Sequence, residues 1–316
     1  MLNLLRRGAT GFETLSPAAG WVVPDDALWL DLVSPSREEE LAVEAALGLE
    51  LPTLEEMAQL EPSSRLYQEA GATFMTATLL SRSDEGPRGT PVTFVLTKGL
   101  LVDLRYEELR AFKAFADRAP AQAIGSGSAA LLGLLDAVIE RLAEILEQTG
   151  AAVEVASTEI FRGAANKKYD ALLADLARAQ SVTSTTRTSL VSLARLLSFG
   201  ALAPEIASDP GCKAHLKSLQ RDAQSLTEHT TAQSSHIAFL LDAALGLINI
   251  EQNAIIKFFS VVAVVFMPPT LVASIFGMNF KHMPELDWPL GYPFALAVML
   301  ATAVLPVLWF KRRGWF

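Results

Sequence analysis

From Phe258 to Phe280 the sequence is FFSVVAVVFMPPTLVASIFGMNF, which is 23 residues without a charged side chain. A second uncharged segment of 23 residues, WPLGYPFALAVMLATAVLPVLWF, extends from Trp288 to Phe310. A helix of about 20 apolar residues can cross the roughly 30 Å hydrocarbon core of a bilayer. Both segments meet this requirement, so we predict an integral membrane protein whose residues 257–316 form a transmembrane hairpin.

The charges beside these segments predict their orientation. Basic residues lie on the sides away from the connecting loop, at Lys257, Lys311, Arg312 and Arg313, whereas the nine-residue loop carries Lys281, His282, Glu285 and Asp287. Lys and Arg are enriched on the cytoplasmic side of membrane helices. We therefore expect both termini in the cytoplasm and the short loop outside.

The composition excludes several classes of protein. The chain of 316 residues is 51% hydrophobic and 19% charged with a net charge of −9, which argues against disorder and against nucleic-acid binding. Its single cysteine, Cys212, excludes a disulfide framework and a cysteine-rich zinc site. Because we find no phosphate-binding glycine loop, nucleophile elbow or paired metal carboxylates at fixed spacing, we do not expect an enzyme.

The acidic charge is concentrated at the start of the chain. Residues 1–61 contain 12 acidic and 3 basic residues, so they account for the whole net charge of −9. The simpler interpretation is a solvated acidic face that keeps the domain soluble. An interaction with divalent cations is the alternative.

Residues 1–128 are predicted to form a cytosolic α/β domain. Ala27–Val33 has the composition of a buried strand, and Ser36 with Glu39 forms a capping-box signal for a helix over Arg37–Leu47. Three further β-rich segments follow, with the clearest separation between them at the Ser81–Gly89 cluster: Phe74–Leu80, Pro91–Leu96 and Leu100–Leu104. We expect at least two of them to be neighbours in one sheet.

Residues 129–256 are predicted to be helical. Helical periodicity covers Ala130–Glu147 and Tyr169–Leu197, and from Lys213 to Met267 there is no proline and one glycine, Gly246. We expect a long stalk helix that continues into the first membrane segment, so that movements of the cytosolic domain could reach the membrane. A kink at Gly246 would weaken this coupling.

The first membrane segment carries a polar stripe. At about 100° per residue, Ser260, Met267 and Ser274 lie within about 40° of one another, and Thr270 lies on the same side. The stripe extends toward the cytosol through Ile256 and Asn253. Small hydroxyls at a helix–helix contact and a pore lining are both compatible with this pattern. Since two helices cannot enclose a pore, a pore requires an oligomer.

The end of this segment carries the most specific motif. Gly277-Met278-Asn279 precedes the loop Met283-Pro284-Glu285-Leu286, the second segment begins at Gly291-Tyr292-Pro293, and the chain closes on Lys311-Arg-Arg-Gly-Trp-Phe316. In these motifs the sequence resembles the CorA family of divalent-cation channels. The resemblance is strong over residues 246–316. Phe276 departs from it, since the family commonly has Tyr before the tripeptide.

The resemblance implies a homopentameric funnel in the bacterial inner membrane that conducts Mg2+, and often Co2+ or Ni2+, inward without a cofactor. It implies a selectivity filter at Gly277, Met278 and Asn279. The other pore-lining positions that carry over are Asn253, Ile256, Met267, Thr270 and Ser274. The implied basic collar at the inner mouth is Lys257, Lys311, Arg312 and Arg313. The family also senses Mg2+ through acidic residues between cytosolic subunits, for which the candidates are Asp222, Glu228 and Asp242, unless these simply form a solvated helix face.

The residue types suit this chemistry. Mg2+ releases its water reluctantly, so a ring of uncharged Asn279 oxygens can hydrogen-bond the hydrated ion without trapping it. Glu285 and Asp287, repeated around an oligomer, would concentrate cations at the outer mouth. Ile256 and Met267 are candidates for an apolar constriction.

Two alternatives stay open. One is a zinc transporter similar to the ZntB branch on the same scaffold, although that branch usually departs from the Gly-Met-Asn and Met-Pro-Glu-Leu motifs. The other is a membrane-anchored scaffold or signalling protein, which has no need of a polar stripe.

Overall fold

The computed structural model describes residues 1–17, 20–59, 61–83, 86–119, 124–162, 169–278, 281, 283–284 and 288–314. The chain divides into two compact units, Met1–Leu241 and Asp242–Phe316. The described strands are β1 (Leu2–Arg6), β2 (Glu13–Leu15), β3 (Ala27–Val33), β4 (Leu66–Glu69), β5 (Ala72–Ser83), β6 (Gly86–Thr97) and β7 (Leu100–Arg105). The described helices are α1 (Arg37–Leu47), α2 (Leu54–Ala58), α3 (Pro62–Arg65), α4 (Arg110–Arg118), α5 (Gly127–Phe161), α6 (Tyr169–Gly200), α7 (Pro204–Ala207), α8 (Pro210–Phe276) and α9 (Gly291–Arg312).

The first unit is built on one mixed sheet with the strand order β2-β1-β3-β7-β6-β5-β4. Only the β3–β7 pair is parallel among the described pairs, and the others are antiparallel. The predicted neighbours β5, β6 and β7 are adjacent, which confirms the sequence expectation. Strands β1, β2 and β4 were not predicted, because five residues or fewer of mixed polarity carry little periodic signal.

Both faces of the sheet are covered, which explains why its central strands are apolar without a break. Trp29 and Leu101 face one core, which also contains apolar residues of α4, α5, α6 and the start of α8. Leu30 and Val102 face the other core, which includes Val43 of α1 and Met57 of α2. The sheet is therefore the middle layer of the unit.

The predicted break at Ser81–Gly89 is wrong in extent. The antiparallel pairing of β5 and β6 continues through Ser81 with Arg88 to Ser83 with Gly86. Strand pairing uses backbone groups, so it continues through residues of low strand propensity once β5 and β6 are aligned.

The predicted helix Arg37–Leu47 is confirmed with its capping box, since Ser36 Oγ accepts from the Glu39 N–H and the Glu39 carboxylate accepts from the Ser36 N–H.

The predicted long helix is also confirmed. Helix α8 has 67 residues and continues through Gly246 and the pair Pro268–Pro269 without interruption. Helix α6 ends at Gly200 and α8 begins at Pro210, with the short helix α7 between them. Asp209 caps the start of α8 by accepting from the backbone N–H groups of Gly211 and Cys212.

A buried ionic cluster lies on the sheet face beneath α4. Arg105 donates to both Asp31 and Asp103, and Asp103 also accepts from Trp29 Nε1 at 2.6 Å. Burial, followed by the charge of Asp31, raises the pKa of Asp103 well above its usual value. The Arg105 guanidinium lies 4.3 Å from the centre of the Phe112 ring, which closes the cluster from above.

We expect removal of the central cation to destabilise this unit strongly. Arg105→Leu leaves two buried carboxylates without their partner, which costs about 3–5 kcal/mol in the free energy of unfolding. The control is Arg6→Ala, because the ion pairs of Arg6 with Glu13 and Asp26 are exposed and such pairs contribute about 1 kcal/mol or less. Thermal unfolding of the two variants in detergent measures the difference, and equal midpoints would contradict the central role of Arg105.

A pair of glycine variants tests the packing of two helices. A Cβ at Gly127 would lie 2.4 Å from the Leu101 nitrogen and 2.5 Å from the Leu100 carbonyl carbon, so Gly127→Ala must displace backbone. We expect a loss of about 2 kcal/mol or more. A Cβ at Gly246 meets no atom within 4 Å, so Gly246→Ala should be neutral or stabilising by up to about 1 kcal/mol. Thermal unfolding measures both, and the reverse order would show that the Gly127 contact is dispensable.

Candidate functional site

The second unit contains the two apolar helices. The apolar part of α8 and helix α9 each contain an 18-residue window with a mean hydropathy of 2.1, which makes both long and apolar enough to cross a membrane. None of the α8 window and 11% of the α9 window is buried within the chain. Large apolar side chains are therefore exposed on most sides of both helices, as expected of surfaces that contact lipid or another copy of the chain.

Each helix has one stripe of residues that is less exposed than the rest of its surface. On α8 it recurs every three or four residues, at Val261, Val265, Pro268, Val272 and Phe276. On α9 the matching positions are Gly291, Ala295, Thr302, Pro306 and Phe310. Near the basic end of α9, a cavity is lined by Val264 of α8 together with Leu305 and Trp309 of α9, so the two helices are neighbours there. We infer that they pack against each other through these stripes.

The polar stripe lies on the opposite side of α8 from this contact. At about 100° per residue, Met267 is about 160° from Val265, and Ser274 is about 160° from Val272. The stripe residues are all exposed within the chain: Asn253, Ile256, Ser260, Met267, Thr270 and Ser274. The hydroxyls therefore do not mediate the contact between α8 and α9, although that was one explanation the sequence left open.

Two hydroxyls of the stripe bond within their own helix. Ser260 Oγ donates to the Ile256 carbonyl and Thr270 Oγ1 donates to the Phe266 carbonyl, both at 2.8 Å. Each hydroxyl then keeps acceptor capacity for a group outside the helix. The protons of these two hydroxyls are therefore bonded within the helix, and the two oxygen atoms can still accept from a group outside it.

The predicted filter begins where α8 ends. The Gly277 N–H donates to the Ala273 carbonyl at 3.0 Å, and the Met278 N–H donates to the Ile275 carbonyl at 3.2 Å, which closes the last turn. A Cβ at Gly277 would lie 3.2 Å from the Ala273 oxygen, a tight contact that favours glycine there. The remaining predicted residues of this region, Asn279, Glu285 and Asp287, lie outside the described residues.

The four residues of the predicted basic collar flank the two apolar segments on the sides away from the connecting loop. Lys257 precedes the apolar part of α8, and Lys311 to Arg313 follow that of α9, so their collar role stays a prediction. All four side chains are exposed. The Arg313 guanidinium lies 5.2 Å from the centre of the Trp309 ring, an amphipathic contact typical of a membrane interface.

The candidate regulatory acids do not form a site within one chain. Asp222, Glu228 and Asp242 are exposed on α8, and Glu228 accepts from Gln224 at 3.3 Å. Among the described residues, no group of three or more His, Cys, Asp or Glu side chains is arranged to hold a metal ion. Their role in metal binding stays a prediction that requires a second copy.

Comparisons with known proteins agree with these features. Residues 24–312 match the model of the CorA-like Mg2+ transporter protein family. The magnesium transport protein CorA of Salmonella typhimurium is 39% identical over 293 residues, which is 92% of each chain. The complete structure of the CorA magnesium transporter from Methanocaldococcus jannaschii superposes with a TM-score of 0.79 at 17% identity, covering 100% of this chain and 99% of that one.

A ZntB domain shares part of the fold. The ZntB cytoplasmic domain from Vibrio parahaemolyticus has a TM-score of 0.59 at 10% identity, and covers 79% of this chain and 98% of its own length. This likeness concerns the fold alone. The match of the family model across most of the sequence, and the identity to curated relatives over nearly their whole length, show that the chain belongs to the CorA-like Mg2+ transporter family, whose members are ion transporters and not enzymes.

Proposed function

We propose that this protein is a magnesium channel in which the polar stripe of α8 lines a path shared by several copies of the chain. The observation that carries the proposal is the position of the stripe, which faces away from α9 and is exposed within the chain. A polar face inside a membrane is favourable only against protein or a water-filled path. One hairpin cannot enclose such a path, so the stripe requires partners, and the family resemblance supports five copies around one axis.

The filter is assigned to Gly277, Met278 and Asn279. Mg2+ usually keeps several waters when bound, and an amide oxygen can accept hydrogen bonds from those waters. A ring of neutral Asn279 side chains would therefore hold the hydrated ion weakly enough for it to leave. Glu285 and Asp287 at the outer mouth would raise the local concentration of cations.

Below the filter, the pore-lining positions are Asn253, Ile256, Met267, Thr270 and Ser274. Ile256 and Met267 are 61% and 69% exposed within the chain, so each presents a large apolar surface to the proposed axis. Rings of these side chains would form constrictions that close by dewetting. The hydroxyls of Thr270 and Ser274 would solvate the ion between the constriction and the filter.

The driving force is the ion gradient together with the membrane potential, which is worth about 2.3 kcal/mol per charge per 100 mV. A divalent ion doubles this value. Entry of Mg2+ into the cytoplasm therefore needs no coupled hydrolysis.

The basic collar, with Lys257 and Lys311 to Arg313, supports an inner-membrane orientation with both termini inside, because Lys and Arg are enriched on the cytoplasmic side.

The choice of ion is proposed from the motif and from the relatives. Magnesium transport is named for curated sequence relatives at 38–39% identity, and Co2+ and Ni2+ are expected as further substrates. Zn2+ is the alternative because of the ZntB-like fold. A zinc path would favour imidazole or thiolate ligands, whereas the stripe offers hydroxyl, amide and thioether groups.

We expect Asn279→Ala to abolish Mg2+ uptake while leaving assembly intact, because it removes the oxygen that receives the hydrated ion. The measurement is flux of Mg2+, Co2+, Ni2+ and Zn2+ into vesicles that contain the purified protein. Thr302→Ala is the control, since the Thr302 hydroxyl bonds within α9 and lies on the face of α9 that we infer to pack on α8, away from the proposed axis. Flux like that of the unmodified protein in Asn279→Ala would overturn the filter assignment.

Cysteine cross-linking tests whether the stripe faces other copies. The single native Cys212 is 6% exposed, so we expect it to contribute little cross-linking of its own. Under mild oxidation Met267→Cys should form disulfide-linked chains, because residues around a narrow axis approach within disulfide range. Val265→Cys, on the α9-facing stripe, should not. Equal cross-linking of the two variants would contradict the proposed axis.

A further inference from the structure

A cleft lined by arginines lies at one edge of the sheet in the unit Met1–Leu241. Strand β4 pairs with β5 only over Ala72–Met75, and within the described residues the rest of that edge has no strand partner. Helix α6 covers it instead, and the Thr78 N–H donates to Ser192 Oγ at 2.8 Å. Beside this contact a cavity of about 330 Å3 remains, lined by Arg65, Arg187 and Arg195 together with the hydroxyl side chains of Thr78, Thr188 and Ser192.

One of the three arginines is held in place. Arg65 Nη1 donates to Thr78 Oγ1 at 2.9 Å, and its Nε donates to the Gln59 carbonyl. Burial, followed by the positive charge of Arg195, lowers the pKa of Arg65. Arg65 and Arg195 line the same cavity, so their like charges repel each other.

No carboxylate balances this charge in the part of the chain that the structure describes. Arg65, Arg187 and Arg195 form no ion pair with any described acidic residue, whereas Arg178 on the same helix pairs with Asp175. The three cations around this cavity repel one another, and an anion bound between them would offset that repulsion. Arginine guanidinium groups match phosphate oxygens with paired hydrogen bonds, and the nearby hydroxyls add further donors.

We propose that this cleft binds the polyphosphate group of a small anion, in the form that carries no metal ion. Inorganic pyrophosphate and the triphosphate of a nucleotide share this chemistry, and both are small enough for the cavity. The cleft offers cationic donors and, among its lining residues, no carboxylate that would coordinate Mg2+. A bound Mg2+ would occupy phosphate oxygens and remove two negative charges from the ligand, so it would weaken binding.

This preference links the cleft to the cytosolic supply of magnesium. Polyphosphates carry Mg2+ when it is plentiful and lose it when it is scarce. Occupancy of the cleft would therefore rise as free Mg2+ falls. The site shares no residue with the proposed pore, and the inference does not depend on the pore assignment.

Equilibrium dialysis of radiolabelled pyrophosphate and ATP against the full-length protein in detergent tests the proposal. Without Mg2+ we expect saturable binding of both probes. Arg187→Ala with Arg195→Ala should weaken binding by about tenfold or more, since each lost charge-assisted hydrogen bond has a large effect on affinity. Arg178→Ala is the matched control and should bind like the unmodified protein. Adding excess Mg2+ should also lower the affinity.

Arg187 and Arg195 are exposed, so the double variant should keep its fold, and thermal unfolding checks this. Absence of saturable binding, unchanged binding in the double variant, or binding that requires Mg2+ would each overturn the proposal. The proposal would also be overturned if the double variant lost its oligomeric state while its affinity for both probes stayed unchanged. The cleft would then be the docking site for an acidic surface of a second copy.

Discussion

A hydroxyl or amide group inside a bilayer has no water to bond, and this constraint explains the arrangement of the unit Asp242–Phe316. Helix α8 has a less exposed apolar stripe that includes Val265 and Val272, through which we infer that it packs on α9, and its polar stripe lies on the opposite side. Ser260 and Thr270 satisfy their hydroxyl protons within the helix. The oxygen atoms that remain face outward, where only another copy of the chain or a path for hydrated ions can use them.

The unit Met1–Leu241 meets the opposite problem, because it buries charge that could have stayed in water. The Arg105 cluster joins β3 and β7, the one parallel pair among the described strands. Removing two carboxylates and a guanidinium from water costs free energy. The ion pairs among the three groups, together with their contacts with Trp29 and Phe112, offset that cost. We interpret the cluster as a device that fixes the register of the two strands and the position of α4 above them.

Charge is also divided within this unit in a way that composition conceals. Residues 1–61 carry the whole net charge of −9, while three arginines gather at the edge of β5. The sequence offers no sign of this cleft, since Arg65 and Arg195 are 130 positions apart and neither belongs to a basic run. An acidic protein can therefore present a local anion site, and net charge alone excludes only extended polyanions such as nucleic acid.

The amino-acid sequence by itself determined the two membrane segments, the capped helix at Ser36, the central strands and the Gly277-Met278-Asn279 motif. All of these depend on neighbours in the chain, through helical or strand periodicity, capping or contiguous hydrophobicity. The tertiary structure alone decided which face of α8 is less exposed, that Arg105 bonds a residue as distant as Asp31, and that Arg187 and Arg65 line one cavity. These depend on contacts between residues far apart in sequence, and no local pattern specifies such contacts. The length of the β5–β6 hairpin shows the same limit, because backbone pairing carried the strands through a segment whose side chains indicate a turn.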